Sequence, residues 1–158
     1  MGYFLCNRRT PWVFSLSARY SATYRSEPKN VPIARQAVAT FARSCGFTAQ
    51  EVSEIEIAAG EALNNASEHS RNRQGGTFYV RCECEGETLT IEVRDSGRGF
   101  QREAKNDVPG SELPARGFGM SIMRAMMNEI TYSNNGTVIR LVRRRKDARE
   151  GNGNSGPG

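Results

Sequence analysis

Hydrophobic and polar positions along the chain change their period several times, and each change marks an element. Ser15 to Ser26, "SLSARYSATYRS", alternates loosely and predicts an early strand. Pro28 and Pro32 bracket a predicted turn. Ile33, Ala37, Val38, Phe41 and Ala42 then recur at helical spacing, with Gly46 as the stop. Thr48 followed three residues later by Glu51 is a capping box, so a second helix is expected from there to about Ser70. "NRQGG", residues 72–76, reads as a turn. Residues 77–97 carry two period-2 runs joined around Glu85, Gly86 and Glu87, the pattern of a hairpin. Residues 101–116 are a polar loop with Pro109, Gly110 and Pro114. "FGMSIMRAMMNEI", Phe118 to Ile130, predicts a third helix. Residues 131–144 close the pattern as a hairpin turning at Asn135-Gly136. Helices and strands in this order predict an α+β fold. It is a two-layer sandwich with helices on one face of a mixed, mostly antiparallel sheet.

The second helix has an unusual margin. On a wheel at about 100° per residue with Glu61 at zero, one face gathers Val52, Ile55, Ala58, Ala59, Ala62, Leu63 and Ala66. This is the expected buried face. Asn65 falls near about 40° and His69 near about 80° on that wheel, along the edge of the apolar face with Glu61. Asn64 falls on the far side, in solvent. Glu61, Asn65 and His69 thus form an i, i+4, i+8 stripe where a core meets an opening. Asn is a poor helix residue, so its place on the stripe calls for a compensating task. The plainer alternative is that Asn65 and His69 only hydrogen-bond nearby loops.

Composition narrows the class. A chain of 158 residues has room for one domain with a proper core. The net charge of +5 owes much to "RRRK", Arg143 to Lys146. Such a run can touch nucleic acid or acidic lipid, but it is more often a solvated tail. Cys82 and Cys84 share one strand face, while Cys6 and Cys45 stand isolated in the sequence. One His and no CxxC make a poor supply of zinc ligands, and a disulfide scaffold does not suit this size. The cysteines are therefore expected to be reduced thiols. Gly2 lacks the Ser or Thr at position 6 that a myristoylation signal needs, and no apolar segment follows the twin Arg8-Arg9. No stretch approaches about 18 apolar residues. The expectation is a cytoplasmic protein that does not act at a membrane. Residues 1–16 fit no element and are read as a disordered or non-conforming lead. Residues 144–158 are read as a disordered basic, Gly-rich tail, leaving 17–143 as the domain.

Two glycine motifs complete the candidate chemistry. "VRDSGRGF" places Asp95, Gly97 and Gly99 at the end of the second hairpin strand. A carboxylate there can accept a hydrogen bond from a flat ligand's amine, and the missing side chains let the ligand approach the backbone. Asp-Ser-Gly is also ordinary turn chemistry. "ARGFGMSIM" puts Gly117 and Gly119 at the start of the third helix, where exposed N–H groups and the helix dipole favour phosphate. Gly near a helix start is common in its own right.

Taken together and in this order, "GEALNNASEH", "VRDSGRGF", "GFGMSIMRAMMNEI" and "NGTVIRLV" resemble the GHKL ATPases with their Bergerat fold. Within that superfamily they look like the single-domain anti-sigma-factor serine/threonine kinases of the RsbW and SpoIIAB type. The resemblance spans roughly residues 17–143. It implies ATP and Mg²⁺ as cofactors. Asp95 would accept the adenine amino group, Gly97 and Gly99 would shape the adenine pocket, and Asn65 would ligate Mg²⁺. Arg116, Gly117, Phe118 and Gly119 would face the phosphates, and residues 101–116 would form the ATP lid. Glu61 would be the catalytic residue, taking the proton from a partner's Ser hydroxyl or orienting it. The implied partners are a sigma factor and an anti-anti-sigma (STAS-type) protein, without direct nucleic-acid contact, and a homodimer is common in the family. Asn128-Glu129 departs from the acidic pair often found there. A nucleotide-dependent module that sequesters a sigma factor or other partner without phosphotransfer is the alternative reading. A stress-signalling relative with a different target is a third.

Overall fold

The computed structural model describes residues 17–71, 75–96 and 117–146. The elements in chain order are β1 (Ala18–Arg25), α1 (Asn30–Ser44), α2 (Ala49–Arg71), β2 (Thr77–Glu85), β3 (Thr88–Asp95), α3 (Gly117–Met126), β4 (Glu129–Ser133) and β5 (Val138–Arg144). A one-turn 3₁₀ segment, Asn134–Gly136, joins β4 to β5. The strands form one five-stranded sheet in the order β1-β2-β3-β5-β4. Every ladder in it is antiparallel.

Alternation sets which face of the sheet is covered. Phe78, Val80, Cys82 and Cys84 of β2, with Leu89, Ile91 and Val93 of β3, point inward and are buried. Arg81, Glu83, Glu92 and Arg94 point the other way and pair among themselves on the outer face. The helices cover the inner face. All seven residues expected on the buried side of α2, Val52 through Ala66, are in the core. Its capping box also forms: the Thr48 N–H donates to Glu51 Oε2 at 2.9 Å, and the Glu51 N–H donates to Thr48 Oγ1 at 3.3 Å.

Several boundaries differ from the sequence reading. The first helix begins at Asn30, so Pro32 lies in its first turn rather than bounding a turn. A proline is tolerated there because its missing N–H would have no intrahelical partner. The buried stripe also differs from the expected one. Val31, Ala34, Val38, Ala39 and Ala42 enter the core, while Ile33 is 56% exposed. Gly46 follows the helix in the left-handed region at φ +83, where an L side chain is strained. The third helix stops at Met126 instead of Ile130. Glu129 and Ile130 belong to β4, paired with Val142 and Leu141, because the apolar run continues into strand without a break in composition. The final turn uses three consecutive left-handed residues, Asn134, Asn135 and Gly136. Cys45 is not isolated in space. Its thiol neighbours that of Cys84 on β2.

Two ties fix the helical layer on the sheet. Arg143, buried on β5, donates to Glu54 of α2 and to the Met126 carbonyl at the end of α3. Lys146 N–H donates to Glu51 Oε1 at 2.8 Å, fastening the strand's exit to the start of α2.

Candidate functional site

Helix α2 runs beside the end of β3 and the start of α3, and a pocket of about 430 Å³ opens where the three meet. Its apolar walls include Ala62, Ala66, Val93, Met123 and Ile139. Its polar groups include Asn65, His69 and Asp95. That volume lies in the range of small-molecule sites, about 300–1,000 Å³, and a mainly apolar wall with few polar groups suits a flat heteroaromatic ligand.

Asp95 is the last residue of β3, and its alternation points it inward, opposite Phe78 of β2. Its backbone N–H donates to the Thr137 carbonyl at 2.9 Å, which ties the strand end to the 134–137 turn. The next residue is held twice. Ser96 N–H reaches Ser70 Oγ at 3.1 Å and the Thr77 carbonyl at 3.2 Å. The Ser70 bond clasps the last turn of α2 to the end of β3. Consequently His69 Nδ1 lies 3.4 Å from Asp95 Oδ2, with side-chain exposures of 29% and 4%.

Asn65, one turn earlier on α2, lines the pocket and is open to solvent. Asn64 is exposed on the opposite side, as the wheel requires. Glu61 is half-buried one further turn back. A Cβ on Gly119 would stand 2.7 Å from Glu61 Oε2, so the absence of a side chain on α3 lets that carboxylate lie against its first turns. A carboxylate near a helix N-terminus is favoured by the partial positive charge there. Phe118 projects outward and is exposed. Gly97, Gly99, Arg116 and the 101–116 segment lie outside the described residues, as do the lead and residues 147–158.

Of the sequence stripe, Asn65 and His69 line the pocket together with Asp95, while Glu61 is not among its lining residues and lies against Gly119 of α3. Sequence reasoning missed the pocket's other rim. Asn135, Gly136 and Thr137 line it, together with Met120 and Tyr132. The "NNGT" turn was legible, but only as the tip of a hairpin. The Tyr132 hydroxyl donates to Met120 Sδ at 3.4 Å, which couples this rim to α3.

Comparisons with known proteins bear on the fold and the family. A match to the Histidine kinase-like ATPase domain family covers residues 24–143. The chain is 28% identical over 138 residues to an anti-sigma F factor of Clostridium acetobutylicum, covering 84% of this chain and 96% of that protein. It is 32% identical over 123 residues to an anti-sigma F factor of Anoxybacillus flavithermus, covering 73% and 84%. Among solved structures, the RsbU and RsbW domains of a Mycobacterium tuberculosis protein superpose with a TM-score of 0.60 at 18% identity. That match covers 80% of this chain and 32% of the larger one, and it supports the fold. None of the helices among the described residues is long and apolar enough to cross a membrane. On the span of the family match and the identity to these relatives, the chain belongs to the histidine kinase-like ATPase domain family.

Proposed function

We propose that this protein is a cytoplasmic, ATP-binding anti-sigma factor with protein-serine kinase activity. It sequesters a sigma factor and phosphorylates a serine on an anti-anti-sigma partner of the STAS type. The observation that carries this reading is that Asn65 and Asp95 line one pocket, while Glu61, one turn before Asn65 on α2, lies against Gly119 at the start of α3.

The residues present fit the nucleotide. Asp95 would accept a hydrogen bond from the adenine amino group, and Gly97 and Gly99, having no side chains, would leave room for the base. Gly117, Phe118 and Gly119 would offer backbone N–H groups at the start of α3, and Arg116, adjacent in sequence, would add positive charge for the phosphates. Asn65 is exposed at the pocket wall, so its side-chain amide can offer an oxygen there. This suits Mg²⁺, which keeps several waters and takes few protein ligands when phosphates supply the rest. Bound there, the ion would neutralise phosphate charge.

Glu61 lies one helical turn from Asn65, which sets a carboxylate beside the phosphate end of the site. It takes the proton of the partner's serine hydroxyl as the γ-phosphoryl group moves to that oxygen and ADP leaves. The protein's remaining contribution is positioning, because phosphoryl transfer demands alignment and charge stabilisation above all.

The relatives' name, anti-sigma F factor, supports the sigma-factor half of the reading. Incubation with γ-labelled ATP, Mg²⁺ and a STAS-type protein encoded beside this gene tests the kinase half. Label on a serine of the STAS protein is the expected result. Sequestration of a sigma factor with no label transferred to any cognate partner favours a binding module instead.

A further inference from the structure

His69 lines the pocket, yet the scheme above gives it no task. It shares the α2 stripe with Glu61 and Asn65 but faces the adenine end of the site rather than the phosphates. Its Nδ1 stands 3.4 Å from Asp95 Oδ2. That is longer than the 2.7–3.2 Å of a fully formed N–H···O bond. Contacts of this kind often tighten only when the ligand is bound.

The backbone around Asp95 is fixed from two sides, by Thr137 and by the Ser96–Ser70 clasp. The terminal torsion of an Asp side chain is intrinsically broad and roughly two-fold, and a donor on one oxygen narrows it. The imidazole is the group that the Ser70 clasp delivers to Oδ2.

We propose that His69 is a positioning residue for base recognition. Its Nδ1–H holds Asp95 Oδ2, so that the carboxylate is oriented to select a purine bearing a 6-amino group. This rests on Asp95 being the adenine acceptor. The role accounts for an imidazole kept partly exposed in the pocket wall, where a purely packing residue would be apolar.

The test uses the full chain and two nucleotides: Mg-ATP and the Mg complex of purine riboside triphosphate, which carries hydrogen where ATP has its amino group. Affinities are measured by calorimetry for the wild type, His69→Phe, His69→Asn, His69→Gln and Asp95→Asn. Thermal melts without nucleotide establish that each variant folds. His69→Phe is expected to bind ATP roughly tenfold more weakly, the scale of one hydrogen bond to a charged group, with purine riboside triphosphate unaffected. His69→Asn places an amide nitrogen near the Nδ1 position and restores the preference for ATP. His69→Gln carries its nitrogen one bond further and does not. If His69→Phe fails to fold, the Asn and Gln pair decides alone.

Unchanged ATP binding in His69→Phe overturns the proposal. Equal loss for both nucleotides also overturns it, since that marks a structural role. A His69→Asn variant as weak as His69→Gln removes the Nδ1 donor. If the wild type does not prefer ATP and Asp95→Asn changes nothing, the adenine reading itself is wrong and this proposal falls with it. If Asp95→Asn loses the preference while His69 variants keep it, the adenine reading stands and only the role of His69 is refuted.

Discussion

Glu61 Oε2 occupies the space where a side chain on Gly119 would begin, 2.7 Å from its would-be Cβ. The two residues are on different helices, and the contact limits how closely the start of α3 approaches α2. Gly119→Ala would push against the far end of a flexible side chain, so the fold should survive. Ala in a helix is favoured over Gly by about 0.5–1 kcal/mol, which further offsets the clash. The displaced carboxylate should matter more, since a misplacement of about 1 Å can cost on the order of 10²-fold in rate. A melting temperature at or above wild type with strongly reduced phosphotransfer is expected. Reduced stability with normal transfer would argue against this relationship.

Asp95 should control nucleotide binding. A ligand that binds only the native state stabilises it by about 2.7 kcal/mol at a hundredfold excess over Kd. ATP with Mg²⁺ should therefore raise the wild-type melting temperature, and Asp95→Asn should abolish most of that rise. A rise of equal size in the variant would remove Asp95 from the adenine contact.

Glu51 should contribute an acid-sensitive share of stability. Burial acts to raise its pKa, but the backbone N–H groups of Lys146 and Thr48, the Thr48 hydroxyl and the nearby Arg143 outweigh burial and hold it below its ordinary value of 4.5. A depressed folded pKa gives stability that is fully present above the unfolded value. That stability is lost as pH falls below 4.5 toward the folded value. Chemical denaturation across this window should show a steeper decline in the wild type than in Glu51→Gln. Parallel profiles would contradict the assignment.

The core thiols should be inert. Burial pushes Cys82 up to about 12. Burial, aided by the neighbouring Cys45 thiol, pushes Cys84 to about 12 as well. Alkylation requires the thiolate, so mass spectrometry should find Cys82 unlabelled in the native protein and labelled after unfolding. Rapid native labelling of Cys82 would mean that the β2 strand is not packed as described.

Much of this was legible along the chain. Helix α2 could be read almost completely, because a capping box fixed its start and an uninterrupted period of 3.6 fixed its buried face. The β2–β3 hairpin was equally clear from period-2 alternation around Gly86. The end of α3 was not, since Met126, Met127 and Ile130 continue one apolar pattern across a helix-to-strand change. Pairings distant in sequence were also hidden. Glu54 meets Arg143 across 89 residues, and His69 meets Asp95 across 26. No local period encodes such contacts, and they arise only when the sheet order places β3 and β5 beneath α2. The wheel placed His69 on the right margin without showing which strand end it would face.

The most direct measurement of the central claim compares Glu61→Ala with Asn65→Ala, using calorimetry with Mg-ATP beside transfer of γ-labelled phosphate to the STAS-type partner. Both residues belong to one stripe of α2, but they should fail differently. Asn65→Ala should lose metal-dependent nucleotide binding and transfer together. Glu61→Ala should bind nucleotide and the sigma factor as the wild type does, while transfer falls by roughly 10²–10⁴, the usual contribution of a positioned base. Transfer at the wild-type rate by Glu61→Ala would contradict the account.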